Sequence, residues 1–234
     1  MENLDPIFDR NVECPLCKTK FTSKKIRSKF IKVERYESDF CPIYKEGHVN
    51  GLLYNIYVCP DCGFSFSDDF SKYFPPGTKE EIINKVSSNW VPQNFGGHRT
   101  IEDAIKTYKL ACYCAELKKE KHIVTAGLYL RIAWLYRLLE NIEQEKRFMK
   151  IAIHHYYESY STDDFRGTQV SEVRILYLLG ELSRRIGEID QAVKYFSMVI
   201  ERQSRTVETK IVDMARERWY EIRDMQKQED VINE

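Results

Sequence analysis

The sequence predicts an α+β protein, with a small β-rich, zinc-ribbon-like module over residues 1–97 and an all-α helical stack over residues 98–234. Three observations predict it. Two cysteine pairs share the pattern Cys-Pro-x-Cys: Cys14-Pro15-Leu16-Cys17, and Cys59-Pro60-Asp61-Cys62 followed by Gly63. Pro92 is the last proline, so turn residues and short β-rich runs crowd into the first part of the chain. Beyond residue 100, apolar residues recur at helical spacing.

Each knuckle presents two thiols across a tight turn, and four soft ligands are what a tetrahedral Zn²⁺ site requires. Cys14, Cys17, Cys59 and Cys62 are therefore the expected ligands of one structural zinc ion. Iron in a rubredoxin-like site is the rival reading, and free thiols are the bland one. The first knuckle continues Lys18-Thr19-Lys20 without a glycine, which favours zinc. Cys41 and His48 lie between the knuckles, where either is a substitute ligand, although four cysteines already suffice.

Within the first module, Lys25–Tyr36 and Leu52–Val58 read as strands. The long interval between the knuckles points to a hairpin extension or a loop around Asp39–Gly51. Thr78-Lys79-Glu80-Glu81 reads as a capping box opening a short helix. Residues 87–97 carry the Pro, Gly and Asn of a linker.

Thr100, followed by Glu102 and Asp103, reads as the cap of the first long helix. Six helices are expected, at 101–120, 123–140, 143–160, 169–186, 189–203 and 208–226, with fraying from Gln226 to Glu234. Leu176, Leu179, Gly180, Gly187, Ala192 and Phe196 stand at the offsets of one tetratricopeptide unit. Tyr129, Ile132, Ala133, Tyr136, Met149 and Ala152 suggest an earlier one, with Glu145 where a small residue is preferred.

The motifs Cys14–Cys17, Asp39-Phe40 with Tyr44, Val58–Phe64, Gly97-His98-Arg99-Thr100, Tyr108–Ala111 and Leu130–Arg137 occur in an order that resembles the bacterial family called domain of unknown function 2225. The resemblance covers about residues 10–205. It implies a cytosolic bacterial protein with a zinc-ribbon-like start and tetratricopeptide-like helices, and it implies no catalytic residue.

Lys plus Arg and Asp plus Glu number 36 each, so no global charge draws the chain to nucleic acid or an anionic membrane. No apolar run reaches membrane-spanning length, and the opening MENLDPIFDR is not a secretory signal. Seven cysteines, four in CxxC pairs, fit a cytoplasmic metal-binding protein better than a disulfide framework. No HExxH, nucleophile elbow or P-loop occurs, which argues against an enzyme. The leading expectation is a non-enzymatic interaction protein that docks a protein or peptide on the concave helical face. The alternative is a nucleic-acid-binding regulator using the basic run at residues 18–35, interleaved with Phe21, Phe30 and Tyr36. Cys112 and Cys114 point to different faces of a helix and read as packing residues rather than ligands or a redox pair, and the adjacent His154 and His155 also diverge. Arg99 reads as pairing with acids across the domain junction, the alternative being an anionic ligand.

Overall fold

The computed structural model describes residues 4–232, with side chains through Gln228. Both knuckles serve as the turns of antiparallel hairpins. β1 (Ile7–Glu13) pairs with β2 (Lys20–Ile26), and the first knuckle closes the end where Glu13 faces Lys20. β5 (Tyr57–Val58) pairs with β6 (Ser65–Phe66) around the second knuckle. Between them, β3 (Val33–Tyr36) pairs with β4 (Pro42–Tyr44), the hairpin extension that the long interval suggested. The short helix α1 (Thr78–Lys85) follows.

Three local expectations change. The Lys25–Tyr36 strand breaks at a 3-10 turn over Ser28–Phe30, so its two ends belong to different sheets. In Leu52–Val58 only Tyr57–Val58 is strand, because the Asn50 side chain accepts from the Leu52 amide at 2.8 Å and turns the chain at Gly51–Tyr54. Thr78 is not a cap. Pro75-Pro76-Gly77 makes the entry turn with Gly77 at φ 80°, and Thr78 is buried with its hydroxyl donating to the Pro75 carbonyl. Glu81 instead accepts from Lys85.

Six long helices follow: α2 (Ile101–Lys118), α3 (His122–Leu138), α4 (Ile142–Thr162), α5 (Glu172–Ile186), α6 (Ile189–Glu201) and α7 (Thr209–Ile232). Thr100 and Asp103 make a reciprocal capping box at 3.1 and 3.3 Å. Asn141 and Ser171 cap α4 and α5 through their side chains. α7 overruns the expected stop at 226, since its polar tail holds neither Gly nor Pro to end a helix. Residues 233 and 234 of the chain, within the tail expected to fray, lie outside the described residues. Each helix packs on its neighbours in sequence, and α5 also meets α7.

α5 and α6 meet where Gly180 faces Phe196. A Cβ at position 180 would lie 2.8 Å from that fully buried ring. Gly180→Ala is therefore expected to destabilise by about 1–3 kcal/mol through overpacking, against a helix-propensity gain of about 1 kcal/mol. A thermal melt that rises in this variant would show that the two helices do not approach so closely.

The N-terminal module shares a core with the helices. Cys41, Leu52, Ile56 and Val58 join Tyr108, Ile132 and Leu176 in one buried cluster. A polar network also crosses the boundary. The turn between β3 and β4 places Asp39, which is 0% exposed, against α3. Its carboxylate accepts from Arg137 Nη2 at 2.6 Å and from Trp134 Nε1 at 2.9 Å. Glu37 pairs with Arg137, and Arg137 also reaches Glu145 of α4 at 2.7 Å. That pairing accounts for a glutamate where a small residue was expected. Ser38 donates to Glu181 of α5 at 2.6 Å, and its carbonyl accepts from Tyr177 at 2.8 Å. Glu181, 0% exposed, is gripped by Arg184 and Arg185 at 2.7 and 2.8 Å.

Burial raises the Asp39 pKa, yet the Arg137 hydrogen bond and the charges of Arg185 and Arg137 outweigh it and leave the carboxyl below its ordinary value. Glu181 is likewise lowered, burial being opposed by Arg184 and Ser38. A carboxylate held below its unfolded pKa stabilises the fold above that value, about 4, and the contribution is lost as pH falls through the folded pKa. Asp39→Asn is expected to cost about 3 kcal/mol at neutral pH, near the low end for removing one partner of a buried pair, because Arg137 keeps Glu37 and Glu145. The gap between variant and parent should narrow in urea titrations below about pH 4. A gap independent of pH would contradict the role given to the ionised carboxylate.

Candidate metal centre

The two hairpin turns face one another and bring the four cysteines together. Their sulfurs all lie within 4.8 Å of one another. Cys14 Sγ is 3.7 Å from Cys62 Sγ, and Cys17 Sγ is 3.6 Å from Cys59 Sγ. A tetrahedron with metal–sulfur bonds of about 2.3 Å has edges of about 3.8 Å. The donor set is thus already close to the size a tetrahedral metal ion requires.

The backbone explains this pre-organisation. In the first knuckle the Lys18 amide donates to the Cys14 carbonyl at 3.0 Å. In the second the Gly63 amide donates to the Cys59 carbonyl at the same distance. Both residues following the pair are left-handed, Lys18 at φ 68° and Gly63 at φ 71°. Lys18 therefore adopts the conformation that glycine adopts in the other knuckle, and the missing glycine does not distinguish zinc from iron. Gly63 has its own requirement, since Trp90 lies across it and an added Cβ would meet the indole at 2.5 Å. The indole N–H is fixed by the Pro60 carbonyl at 2.7 Å. Thr19 accepts from Cys17 and donates to Asp61 at 2.8 Å, linking the two knuckles.

Cys14, Cys59 and Cys62 are buried, while Cys17 is exposed. The hydrogen bond with Cys62 brings the Cys14 thiol down to about 6 against the opposing effect of burial. The same bond and burial push Cys62 up, and burial pushes Cys59 up to about 11. A bound cation takes its ligands as thiolates and releases these protons. The arrangement suits a closed site that holds a metal rather than one that presents it to a substrate.

The other sequence candidates fall elsewhere. Cys41 is buried beside Asp39, its thiol pushed up to about 12 by burial and that carboxylate, and it belongs to the helical core. His48 is exposed, with Nδ1 at 3.1 Å from the Glu46 carbonyl. Neither is in the four-cysteine group. Cys114 packs from α2 against the centre, and its sulfur accepts from the Ser65 amide at 3.3 Å. Cys112 is buried in the helical core. Arg99 pairs with no acid at the junction among the described residues. Buried, it donates to the carbonyls of Phe95 and Leu53 at 2.8 and 3.1 Å and so ties the linker to the module through backbone. His155 turns from exposed His154 toward His122, with Nδ1 to Nδ1 at 3.0 Å. Sequence reasoning missed that pair because the residues lie on different helices. The basic run does not form one face. Lys24 pairs with Asp9 and Lys25 with Asp68, and Phe21 packs beside the cysteines, while Lys18, Lys20, Lys29, Lys32 and Arg35 stay exposed.

Fold and site together define a four-cysteine module, of a kind suited to a tetrahedral metal ion, seated on a helical stack. The chain belongs to the family described as "Uncharacterized protein conserved in bacteria (DUF2225)", which matches residues 7–222. It is also similar to a Borreliella burgdorferi protein described as "Uncharacterized protein", 26% identical over 169 residues, which cover 63% of this chain and 59% of that one. No solved structure matches the chain.

The full chain is expected to hold one metal equivalent. Cys59→Ser should lose it and lower the melting temperature while retaining most helical circular dichroism. Elemental analysis beside the melts checks this, and a variant that keeps a full equivalent would contradict the assignment of Cys59.

Proposed function

We propose that this chain is a non-enzymatic protein-interaction protein, an adaptor or regulator. In this reading a structural Zn²⁺ held by Cys14, Cys17, Cys59 and Cys62 locks the two knuckles together. The helices act as a tetratricopeptide-like stack whose concave face receives a protein or peptide. A cytoplasmic setting, where thiols stay reduced, suits seven free cysteines. No helix among the described residues is long and apolar enough to cross a membrane.

The observation that carries this reading is the seating of residues 37–41. Asp39 lies between Trp134 and Arg137 of α3, Phe40 packs on Tyr177 of α5 with ring centroids 5.4 Å apart, and the Ser38 carbonyl takes the Tyr177 hydroxyl. A short acidic and aromatic segment is thus bound on the helices by side chains from two of them, as a peptide ligand is bound in a groove. The zinc assignment is supported by four cysteine sulfurs that all lie within 4.8 Å of one another, the donor set that structural zinc sites use. A red, iron-loaded protein would overturn it.

Photocrosslinking in the native cells tests the interaction. A photoreactive residue at Gln169, exposed beside the α3–α5 face, should capture a protein in an adduct that resists nuclease. The same residue at Asp213 on α7 should capture none. Absence of any adduct at 169 would overturn the reading. The exposed lysines of the basic run favour nucleic acid as the second reading. Fluorescence anisotropy with oligonucleotides at physiological salt should give only weak binding that fades with added salt. Micromolar binding lost on changing Lys18, Lys20, Lys29 and Lys32 to Ala would make that reading the better one.

A further inference from the structure

Next to the bound Asp39-Phe40 turn, the α3–α5 face opens into a cavity of about 540 Å³. Its walls include Leu130 and Trp134 of α3, Tyr156 of α4, Leu178 of α5 and the segment 167–170. A smaller cavity of about 210 Å³ adjoins it, and Arg131 and Asp69 line both. The larger volume lies within the range of ligand pockets, about 300–1,000 Å³.

Arg131 is the feature that the fold leaves unexplained. Elsewhere on α3 and α5, Arg137, Arg184 and Arg185 each hold a buried carboxylate. Arg131 has no carboxylate within 4.0 Å among the described residues, and its Nη1 donates only to the carbonyl of Gly127 on its own helix, at 2.9 Å. Gly127 makes that posture possible. A Cβ there would lie 2.9 Å from Arg131 Nη1, so a residue that weakens a helix interior leaves room for the guanidinium at the cavity wall. Across the cavity, Arg174 stacks 4.8 Å above the Phe40 ring and reaches Glu208 only at 3.4 Å. The acid deepest in the wall, Asp39, is already taken by Arg137 and Trp134. Asp69 is exposed and in no salt bridge among the described residues.

We propose that this cavity binds a ligand carrying one carboxylate on an apolar or aromatic body, with Arg131 as the fork that receives the carboxylate. Arg174 is paired with Glu208, so Arg131 is the lining cation in no ion pair among the described residues, and a single guanidinium suits a monoanion better than a more highly charged phosphate. The planar guanidinium matches a carboxylate in two parallel hydrogen bonds. Trp134, Tyr156, Leu130 and Leu178 supply the apolar contact. The same face already receives this chemistry in Asp39 and Phe40. The inference rests on reading the α3–α5 face as the recognition surface. It is tested on purified protein, so its failure is separate from failure of the in-cell crosslink.

The probes are 3-phenylpropionate, its neutral amide, and acetyl-Asp-Phe-amide, titrated by calorimetry into the metal-loaded full chain. Saturable binding of either acid is expected, about tenfold tighter than the amide, as one charge-assisted pair allows. Preference for the free acid marks a small-molecule ligand, and preference for the dipeptide marks an acidic segment of a partner protein. Arg131→Met should lose the discrimination against the amide with little change in melting temperature, because no ion pair is broken. Gly127→Ala should keep or raise the melting temperature and yet weaken acid binding severalfold by displacing the guanidinium. A purely structural glycine would not separate the two readouts. No saturable binding of either acid, equal binding of acid and amide, or unchanged binding in Arg131→Met would overturn the proposal.

Discussion

The attachment of Asp39 to Arg137 and Trp134 is the constraint from which the arrangement of the molecule follows. A carboxylate with no exposure is tolerable only when charge and hydrogen bonds surround it, and here both oxygens are satisfied. Arg137 in turn ties Glu37 of the hairpin to Glu145 of α4, so one guanidinium joins the hairpin, α3 and α4. Ser38 and Glu181 repeat the arrangement on α5. Buried ion pairs add little net stability over apolar packing, but a mispaired one is costly, so such a network selects one docking geometry. The position of the hairpin fixes where Phe40 and Asp39 end and the neighbouring cavity begins.

A second attachment lies at the cysteine centre. Cys14, Cys59 and Cys62 share a buried cluster with Phe64, Ile82 and Val86, and with Cys114 and Leu117 of α2. Nearby, Lys118 and Glu120 form an ion pair with side chains no more than 2% exposed, and Lys118 also donates to the Ser71 and Tyr73 carbonyls at 2.8 Å. The N-terminal module therefore contacts the helices through the cysteine centre on α2, through Leu52, Ile56 and Val58 at Tyr108, and through the turn on α3 and α5. Order at the four-cysteine centre reaches α2 through direct packing, whereas α5 and α6 have their own contact at Gly180 and Phe196.

The knuckles were legible because a four-cysteine cluster is written locally: two thiols per turn, with spacing set by the turn itself. The helices were legible through period and caps, as Thr100 with Asp103 shows. What escaped were interactions set by tertiary contact. Asp39 and Glu181 are charged residues that sequence places at the surface, and only partners far along the chain make their burial possible. Asn50-Gly51 and Pro75-Pro76-Gly77 redirected segments whose apolar content or capping pattern suggested otherwise, because turn chemistry prevailed over pattern. Lys18 took a conformation that favours glycine since the hairpin closes on it from both sides. Arg131 lay within the Leu130–Arg137 motif without a role of its own, and its interest comes from what does not surround it.

The measurement that tests this account most directly is a double-mutant cycle between Asp39→Asn and Arg137→Gln, with stability read from urea unfolding of the metal-loaded chain. If the two side chains hold the hairpin to the helices as a unit, the double variant should be more stable than the sum of the single losses implies, by about 1–3 kcal/mol. Additivity to within about 0.5 kcal/mol would mean that the pair is not coupled and that apolar packing alone seats the module.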